Sequence, residues 1–339
     1  MLLRVLVLIC AHNEERTIRE TLIRVLNQRP RPYEIIVVND GSTDRTRDVL
    51  KQFEDNPLVL ILDTPANLGK ANAQRYALNY ITSDLVMLVD ADSELEPDFL
   101  KKLLPYFLDP KVGGATGQVV SRKHNLLTAV REIQYIIGFN VYKLGMQVMN
   151  AVLVMPGCGS IIRRELFRPE GDTIAEDMDL TLTILEKGYT VIYDPDAIVY
   201  TYDPPTLRLY VRQVKRWYSG AMQCFKKHWK RLPLRIKLEI LLIFLENSVF
   251  LASTLTAIAL RLLSSGFFLY AILPLLLDYV GYLLACLYGI AKFKRRDLLA
   301  AVIPSMGIRF LDYVIWNTCA FREYVLGKSI KTWLRGKPD

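Results

Sequence analysis

The chain has 339 residues, with 43 Lys+Arg against 35 Asp+Glu and a net charge of +8; that length holds one large domain or two ordinary ones and excludes a mini-protein or a disordered tail. Hydrophobic residues reach 51% while charged residues still make up 23%, a mixture that suits a water-facing domain joined to membrane segments. The five cysteines are scattered, with no C-x-x-C pair, and there are three histidines, so neither a disulfide framework nor a zinc site is supported and a reducing cytosolic face is the natural setting.

The opening MLLRVLVLIC is a short apolar stretch that runs directly into His12-Asn13-Glu14-Glu15-Arg16, which reads as a buried strand rather than a secretory signal. Strand-like runs follow at 34–39, 58–62 and 85–90, separated by helix-like segments near 16–28, 44–53, 70–81 and 97–107. This βαβ series predicts an α/β fold with a parallel sheet. The turn after the first strand, Ala11-His12-Asn13-Glu14, has no glycine to admit a pyrophosphate, and no Walker A sequence occurs, so a dinucleotide-binding oxidoreductase and a P-loop ATPase are both disfavoured.

Beyond residue 238 the composition changes. Residues 240–260 hold one charge, Glu246, in 21 positions, and 266–291 hold one, Asp278, in 26; each is long enough to span a bilayer. A third apolar segment, 298–321, carries Arg309 and Asp312 at i, i+3, so it spans with an internal ion pair or lies in the interface. Basic clusters at 226–231 and 292–296 flank the two clear spans, and the positive-inside rule places them, and the N-terminal domain, in the cytoplasm of a multi-pass cell-membrane protein. The basic excess crowds the membrane edges and no nucleic-acid motif appears, so the lipid bilayer rather than nucleic acid is the expected partner. The expected organisation is a catalytic domain over 1–203, an amphipathic interface helix over 204–235, membrane segments over 236–327 and a basic tail over 328–339.

Chemistry-bearing residues gather at predicted strand ends. Strand two ends in Asn39-Asp40-Gly41-Ser42-Thr43-Asp44, placing a carboxylate at the carboxyl edge where open α/β sheets bind ligands, with a plain turn at Asp40-Gly41 and a helix cap at Asp44 as the alternatives. Strand four delivers Asp90 and Asp92 to the same edge, two hard oxygen donors suited to Mg²⁺ or Mn²⁺ completed by substrate phosphates, although Asp92 could instead cap the next helix. Pro156-Gly157-Cys158-Gly159-Ser160 and Ala175-Glu176-Asp177 follow, then Gln213, Arg216 and Trp217 at i, i+3, i+4. Amide, guanidinium and indole on one helical face suit a phosphorylated sugar; an interfacial helix with Trp217 and Tyr218 in an aromatic belt is the alternative.

In order, HNEE, VVNDGSTD, NLGKANA, DAD, GCGS, AED and QVKRW resemble the family 2 glycosyltransferases over about residues 3–230, specifically the membrane-bound branch that includes cellulose, hyaluronan, chitin and poly-N-acetylglucosamine synthases. The resemblance implies a GT-A fold, Rossmann-like with a mostly parallel central sheet, and inverting transfer from a nucleotide-sugar, usually a UDP-sugar, to a polysaccharide or lipid-linked acceptor. It further implies that Glu14 and Asp40 contact uridine, that Lys70 lies near the diphosphate, and that Asp92, with Asp90 nearby, holds the metal. Gly157, Cys158, Gly159 and Ser160 would border the acceptor, Asp177 with Glu176 beside it would supply the general base, and Gln213, Arg216 and Trp217 would serve the diphosphate and the acceptor sugar. The acidic motif departs from the family by Ala175 in place of Thr or Ser, and two or three apolar segments, with no membrane hairpin ahead of the domain, are few to enclose a channel within one chain. A catalytically silent nucleotide-sugar-binding subunit is the alternative function; the oligomeric state, homo-oligomer included, is open.

Overall fold

A computed structural model describes residues 3–263 and 268–330. In chain order it runs β1 (Val5–Ala11), α1 (Ile18–Leu26), β2 (Glu34–Asn39), α2 (Thr46–Lys51), β3 (Val59–Asp63), α3 (Lys70–Ala77), β4 (Leu85–Asp90), β5 (Ser93–Leu95), α4 (Phe99–Leu103) and β6 (Val112–Ser121). Then come α5 (Leu126–Ile137), α6 (Leu144–Val148), β7 (Ser160–Arg163), α7 (Glu176–Glu186), β8 (Thr190–Thr201), α8 (Leu207–His228), α9 (Leu234–Leu262), α10 (Phe268–Phe293) and α11 (Leu298–Ala320).

The contacts divide the chain into two compact units. The first comprises Met1–Val120, Lys143–Tyr202 and Lys230–Pro233; the second comprises Ser121–Tyr142, Asp203–Trp229 and Leu234–Asp339.

The first unit is built on an eight-stranded sheet of order β3-β2-β1-β4-β7-β6-β8-β5. The continuous apolar run VLVLICA makes β1 a strand buried on both faces, and it pairs in parallel with β2 and β4. The register sets Ala11 opposite Asn39 and Cys10 opposite Asp90, so β2 and β4 deliver their terminal polar residues to the same edge, on either side of β1. The expected parallel series holds across β3-β2-β1-β4; beyond it β7 pairs antiparallel with β4 and with β6, and β5 pairs antiparallel with β8. Strands β5 to β8 were not legible in the hydrophobic pattern. In β6 the reason is glycine: a Cβ at Gly117 would lie 2.0 Å from the Ala197 carbonyl oxygen, so this strand trades side chains for close backbone approach to β8.

The second unit packs α5 against α10 and α11. Ile133 and Ile136 of α5 meet Ala285 and Cys286 of α10 and Ala301 and Val302 of α11. Asn125 and Thr128 close a reciprocal capping box at the start of α5. Among the described residues, three helices are long and apolar enough to cross a membrane by length and composition, Leu234–Leu262, Leu275–Phe293 and Leu298–Val325. On α9, Leu238, Leu241, Leu242 and Leu245 are exposed, the kind of contiguous apolar surface that lipid covers and water does not. The start of the second predicted span, at 266–267, and most of the 328–339 tail lie outside the described residues.

The expected ion pair between Arg309 and Asp312 does not form. Arg309 instead reaches Glu246 of α9 at 2.9 Å and Asp278 of α10 at 3.6 Å, while Asp312 accepts the Tyr210 hydroxyl at 2.7 Å and the Gln134 amide at 2.7 Å. The isolated charge in each apolar helix is thereby answered by a neighbouring helix, since a charge among apolar helices needs a partner more than a local i, i+3 contact can provide.

Candidate active site

In the first unit the loops that follow β1 and β2 are stitched together by their own side chains. Asn13, left-handed at φ +55°, accepts at Oδ1 from the Thr43 N–H at 2.7 Å, and its N–H donates to Ser42 Oγ at 2.9 Å. The buried Glu14 donates its N–H to Thr46 Oγ1 at 2.6 Å and accepts the Thr17 hydroxyl at 3.0 Å. Asp44 accepts the Thr46 N–H at 2.9 Å, but the cap position of α2 is Arg45, with no side-chain cap bond.

Asp40 is buried, and both of its oxygens face the loop before α3. Oδ1 accepts from the Leu68 N–H at 2.8 Å and the Thr64 hydroxyl at 3.1 Å, and Oδ2 accepts from the Gly69 N–H at 2.9 Å. Gly41, at φ +59°, is required beside it: a Cβ there would fall 2.3 Å from the Ala66 carbonyl carbon. The pair Asp40-Gly41 therefore sets the loop that launches α3, whose first residue is Lys70.

Lys70 is the centre of the arrangement. Its Nζ lies 2.6 Å from Asp90 Oδ1 and 2.8 Å from Glu176 Oε1, joining the end of β4 to the first turn of α7. Burial alone would lower its pKa, but Asp90, Glu176 and Asp177 outweigh that and hold it well above the usual lysine range. Glu176, Asp177 and Asp179 all sit in the first turn of α7, where the helix dipole favours carboxylates. The Asp177 carboxylate accepts the Met178 N–H at 2.8 Å, and its carbonyl accepts the Thr181 hydroxyl at 2.7 Å.

Asp92 is half-buried just past β4 and lines a cavity of about 40 Å³ with Thr17, Glu20, Glu94 and Tyr202, room for a water or two but not for a nucleotide. The turn that carries it is pinned by the Thr21 hydroxyl donating to the Ala91 carbonyl at 3.0 Å. Elsewhere among the described residues, Glu170, Asp172 and Asp179 bring three carboxylates within 4.8 Å of one another, two of them exposed; crowded surface acids of this kind are ordinary.

Residues 6–169 match the family described as Glycosyl transferase family 2. They form a glycosyl transferase family 2 domain. A poly-β-1,6-N-acetyl-D-glucosamine synthase of Staphylococcus aureus (strain COL) is 29% identical over 246 residues, covering 68% of this chain and 58% of that one. That of Staphylococcus epidermidis is 26% identical over 247 residues, covering 71% and 60%. The chain thus spans less than two thirds of the length of these relatives. Among solved structures, the mannosyltransferase PcManGT from Pyrobaculum calidifontis, in complex with GDP-Man and Mn²⁺, superposes with a TM-score of 0.65 at 21% identity over 96% of this chain and 88% of that chain. The architecture is a GT-A fold followed by apolar helices that could cross a membrane.

Within the family 2 domain the GCGS segment backs onto the lysine. A Cβ at Gly157 would lie 2.5 Å from Lys70 Nζ and 3.6 Å from Asp90 Oδ1, so a side chain there would push the ammonium from its present place. Cys158, Gly159 and Ser160 are buried; Ser160 donates to the Pro156 carbonyl at 2.5 Å and Thr116 donates to the Gly159 carbonyl at 2.9 Å. Burial pushes the Cys158 thiol up, with Asp90 adding and Lys70 opposing, and raises Cys10 likewise, so both stay protonated and neither is a nucleophile. Lys143, buried 5.7 Å from the Tyr193 ring centre, is brought down to about 7 by burial, against the opposite pull of Cys158 and Asp177.

Gln213, Arg216 and Trp217 are half-buried on α8, in the second unit. Gln213 and Trp217 meet one guanidinium, that of Arg131 on α5: its Nη2 is 3.4 Å from Gln213 Oε1, and its centre lies 4.3 Å from the Trp217 ring centre. Sequence reasoning missed Arg131. The available signal was Arg131, Gln134 and Tyr135 at i, i+3, i+4, a polar trio on one face of a helix that also carries Thr128 and Glu132.

Proposed function

We propose that this chain is a membrane-anchored inverting glycosyltransferase that moves a sugar from a nucleotide-sugar, a UDP-sugar, to a polysaccharide or lipid-linked acceptor and forms a β-glycosidic bond. The observation that carries this reading is the bridge from Asp90 through Lys70 to Glu176, with Asp177 adjacent. One carboxylate at the sheet edge, one half-buried lysine and one acidic helix start are held together beside Gly157. Glu14 and Asp40 are assigned to the donor side with Lys70, Gln213 and Arg216; the GCGS segment and Trp217 are assigned to the acceptor.

Asp90 and Asp92 fit Mg²⁺ or Mn²⁺ in donor chemistry, being hard carboxylates, and Asp90 with Glu176 already holds a cation in the form of the Lys70 ammonium. Bound there, the metal would neutralise charge on the departing diphosphate. The mannosyltransferase of like fold carries Mn²⁺ together with its nucleotide-sugar, which supports a metal requirement here.

The chain's own residues supply the rest. Lys70 contributes a fixed positive charge beside the diphosphate oxygens, where electrostatic stabilisation of a leaving anion counts most. Asp177 accepts the proton of the acceptor hydroxyl as its oxygen attacks the anomeric carbon. The bond from that carbon to the diphosphate oxygen breaks, the electron pair leaves with the diphosphate, and one displacement inverts the configuration. Placing the domain in the cytoplasm, where nucleotide-sugars are made, agrees with the basic clusters that flank the apolar helices.

The test is a donor screen with purified full chain in nanodiscs. UDP-N-acetylglucosamine, UDP-glucose, UDP-galactose and GDP-mannose are supplied with Mn²⁺ and the product mass is read. Because the curated relatives are poly-β-1,6-N-acetyl-D-glucosamine synthases, transfer is expected first from UDP-N-acetylglucosamine. Nucleotide-sugar binding with neither transfer nor hydrolysis of any donor would make the chain a silent subunit and overturn the reading.

A further inference from the structure

The geometry points to Arg131 as the positioning residue of the QVKRW face, the group that sets the Gln213 amide for the donor and the Trp217 ring plane for the acceptor. The inference rests on reading Gln213 as donor-facing and Trp217 as acceptor-facing, as proposed above.

Arg131 is buried on α5. Its Nε is 3.4 Å from Asp203 Oδ1, which supplies the countercharge and also accepts the Tyr135 hydroxyl at 2.9 Å. Its Nη1 donates to Gln134 Oε1 at 3.0 Å and its Nη2 to Gln213 Oε1 at 3.4 Å. The guanidinium centre lies 4.3 Å from the ring centre of Trp217, 4.9 Å from Tyr135 and 5.2 Å from Tyr210. One planar cation thus holds the first and the last residue of the motif.

Two consequences follow from the chemistry of the guanidinium. It has donors only, so the Gln213 side chain must present its oxygen to Arg131 and keep its amide N–H groups for another partner. It is attracted to the face of an indole, so it fixes the Trp217 plane and occupies one side of it, leaving the other side as the stacking surface. A lysine has neither the fork nor the plane.

The device is anchored from α11. Asp312 accepts the Gln134 amide at 2.7 Å and the Tyr210 hydroxyl at 2.7 Å, which turns Gln134 Oε1 toward Arg131 and holds Tyr210 beside it. An apolar helix of membrane-spanning length therefore reaches the motif through one carboxylate, two side chains and one arginine.

The test uses the full chain in nanodiscs with 5-fluorotryptophan, and ¹⁹F NMR. The Trp217 resonance is assigned by its loss in Trp217→Phe. Arg131→Gln should shift and broaden the Trp217 resonance while those of Trp229 and Trp316 stay in place, and Arg131→Lys should shift it less. A purely structural role would disturb all resonances or none, and an unmoved Trp217 resonance in Arg131→Gln would overturn the proposal. Should Arg131→Gln fail to fold, Arg131→Lys and Asp312→Asn give the same readout. In the transfer assay Arg131→Gln should lower kcat/KM by about tenfold or more, as misplacement of a substrate-positioning group does. If Trp217→Ala cripples transfer while Arg131→Gln is silent, the positioning role fails and the motif reading stands. If Trp217→Ala is itself silent, the motif reading fails and the NMR result alone decides for Arg131.

Discussion

Lys70 Nζ and Asp90 Oδ1 are 2.6 Å apart, and Glu176 closes the bridge from the other side at 2.8 Å. The ammonium thus ties a strand end to a helix start, and a Cβ at Gly157 would fall 2.5 Å from it; as the proposed partner of the diphosphate it is open to a direct test. Lys70→Met should raise donor KM by about tenfold to a hundredfold, the worth of one charge-assisted hydrogen bond at 1.5–3 kcal/mol. Initial rates at saturating acceptor measure it. An unchanged donor KM would make Lys70 a structural tie only.

Asp92 and Asp90 are the proposed metal ligands. Excess EDTA should abolish transfer, Mg²⁺ or Mn²⁺ should restore it, and Asp92→Asn should mimic chelation. Full activity of Asp92→Asn in EDTA would refute the assignment.

Asp177→Asn keeps the size of the side chain and its bond from the Met178 N–H but takes no proton. Turnover should fall by about 10²- to 10⁴-fold, with UDP affinity preserved in a calorimetric titration. Loss of UDP binding with normal turnover per bound donor would reassign Asp177 as a binding residue.

Glu132 is fully buried on α5 and accepts the Ser121 N–H at 2.6 Å. Burial pushes its carboxyl up to about 8, against the pull of that N–H and of Arg295. The unfolded chain releases this proton near 4.5 while the folded chain keeps it to about 8, so the stability it contributes is present below the lower value and lost as pH rises through that window. The thermal midpoint of the full chain should fall between about pH 5 and pH 8, and Glu132→Gln should remove much of that fall. Parallel slopes for the two proteins would contradict the assignment.

The first half of the sheet was legible because β1, β2 and β4 are continuous apolar runs, β2 and β4 ending in polar residues, a pattern that periodicity reads directly. The second half was not, because β6 is packed through glycines and β7 is four residues long. The motif residues were legible as types, but their partners were not. Asp40 was marked as a ligand candidate from its place at a strand end, whereas its bonds to the 64–69 loop depend on a fold of the chain that spacing cannot reveal. Arg309 and Asp312 looked like an ion pair because they are neighbours in sequence; they face different helices.

The stereochemistry of the product tests the central claim most directly. With UDP-N-acetylglucosamine and a short N-acetylglucosamine oligosaccharide, the new anomeric centre is read by proton NMR. Attack by a hydroxyl deprotonated by Asp177, in one displacement on an α-linked donor, predicts a β-linkage that disappears with Asp177→Asn. A new α-linkage would contradict the account.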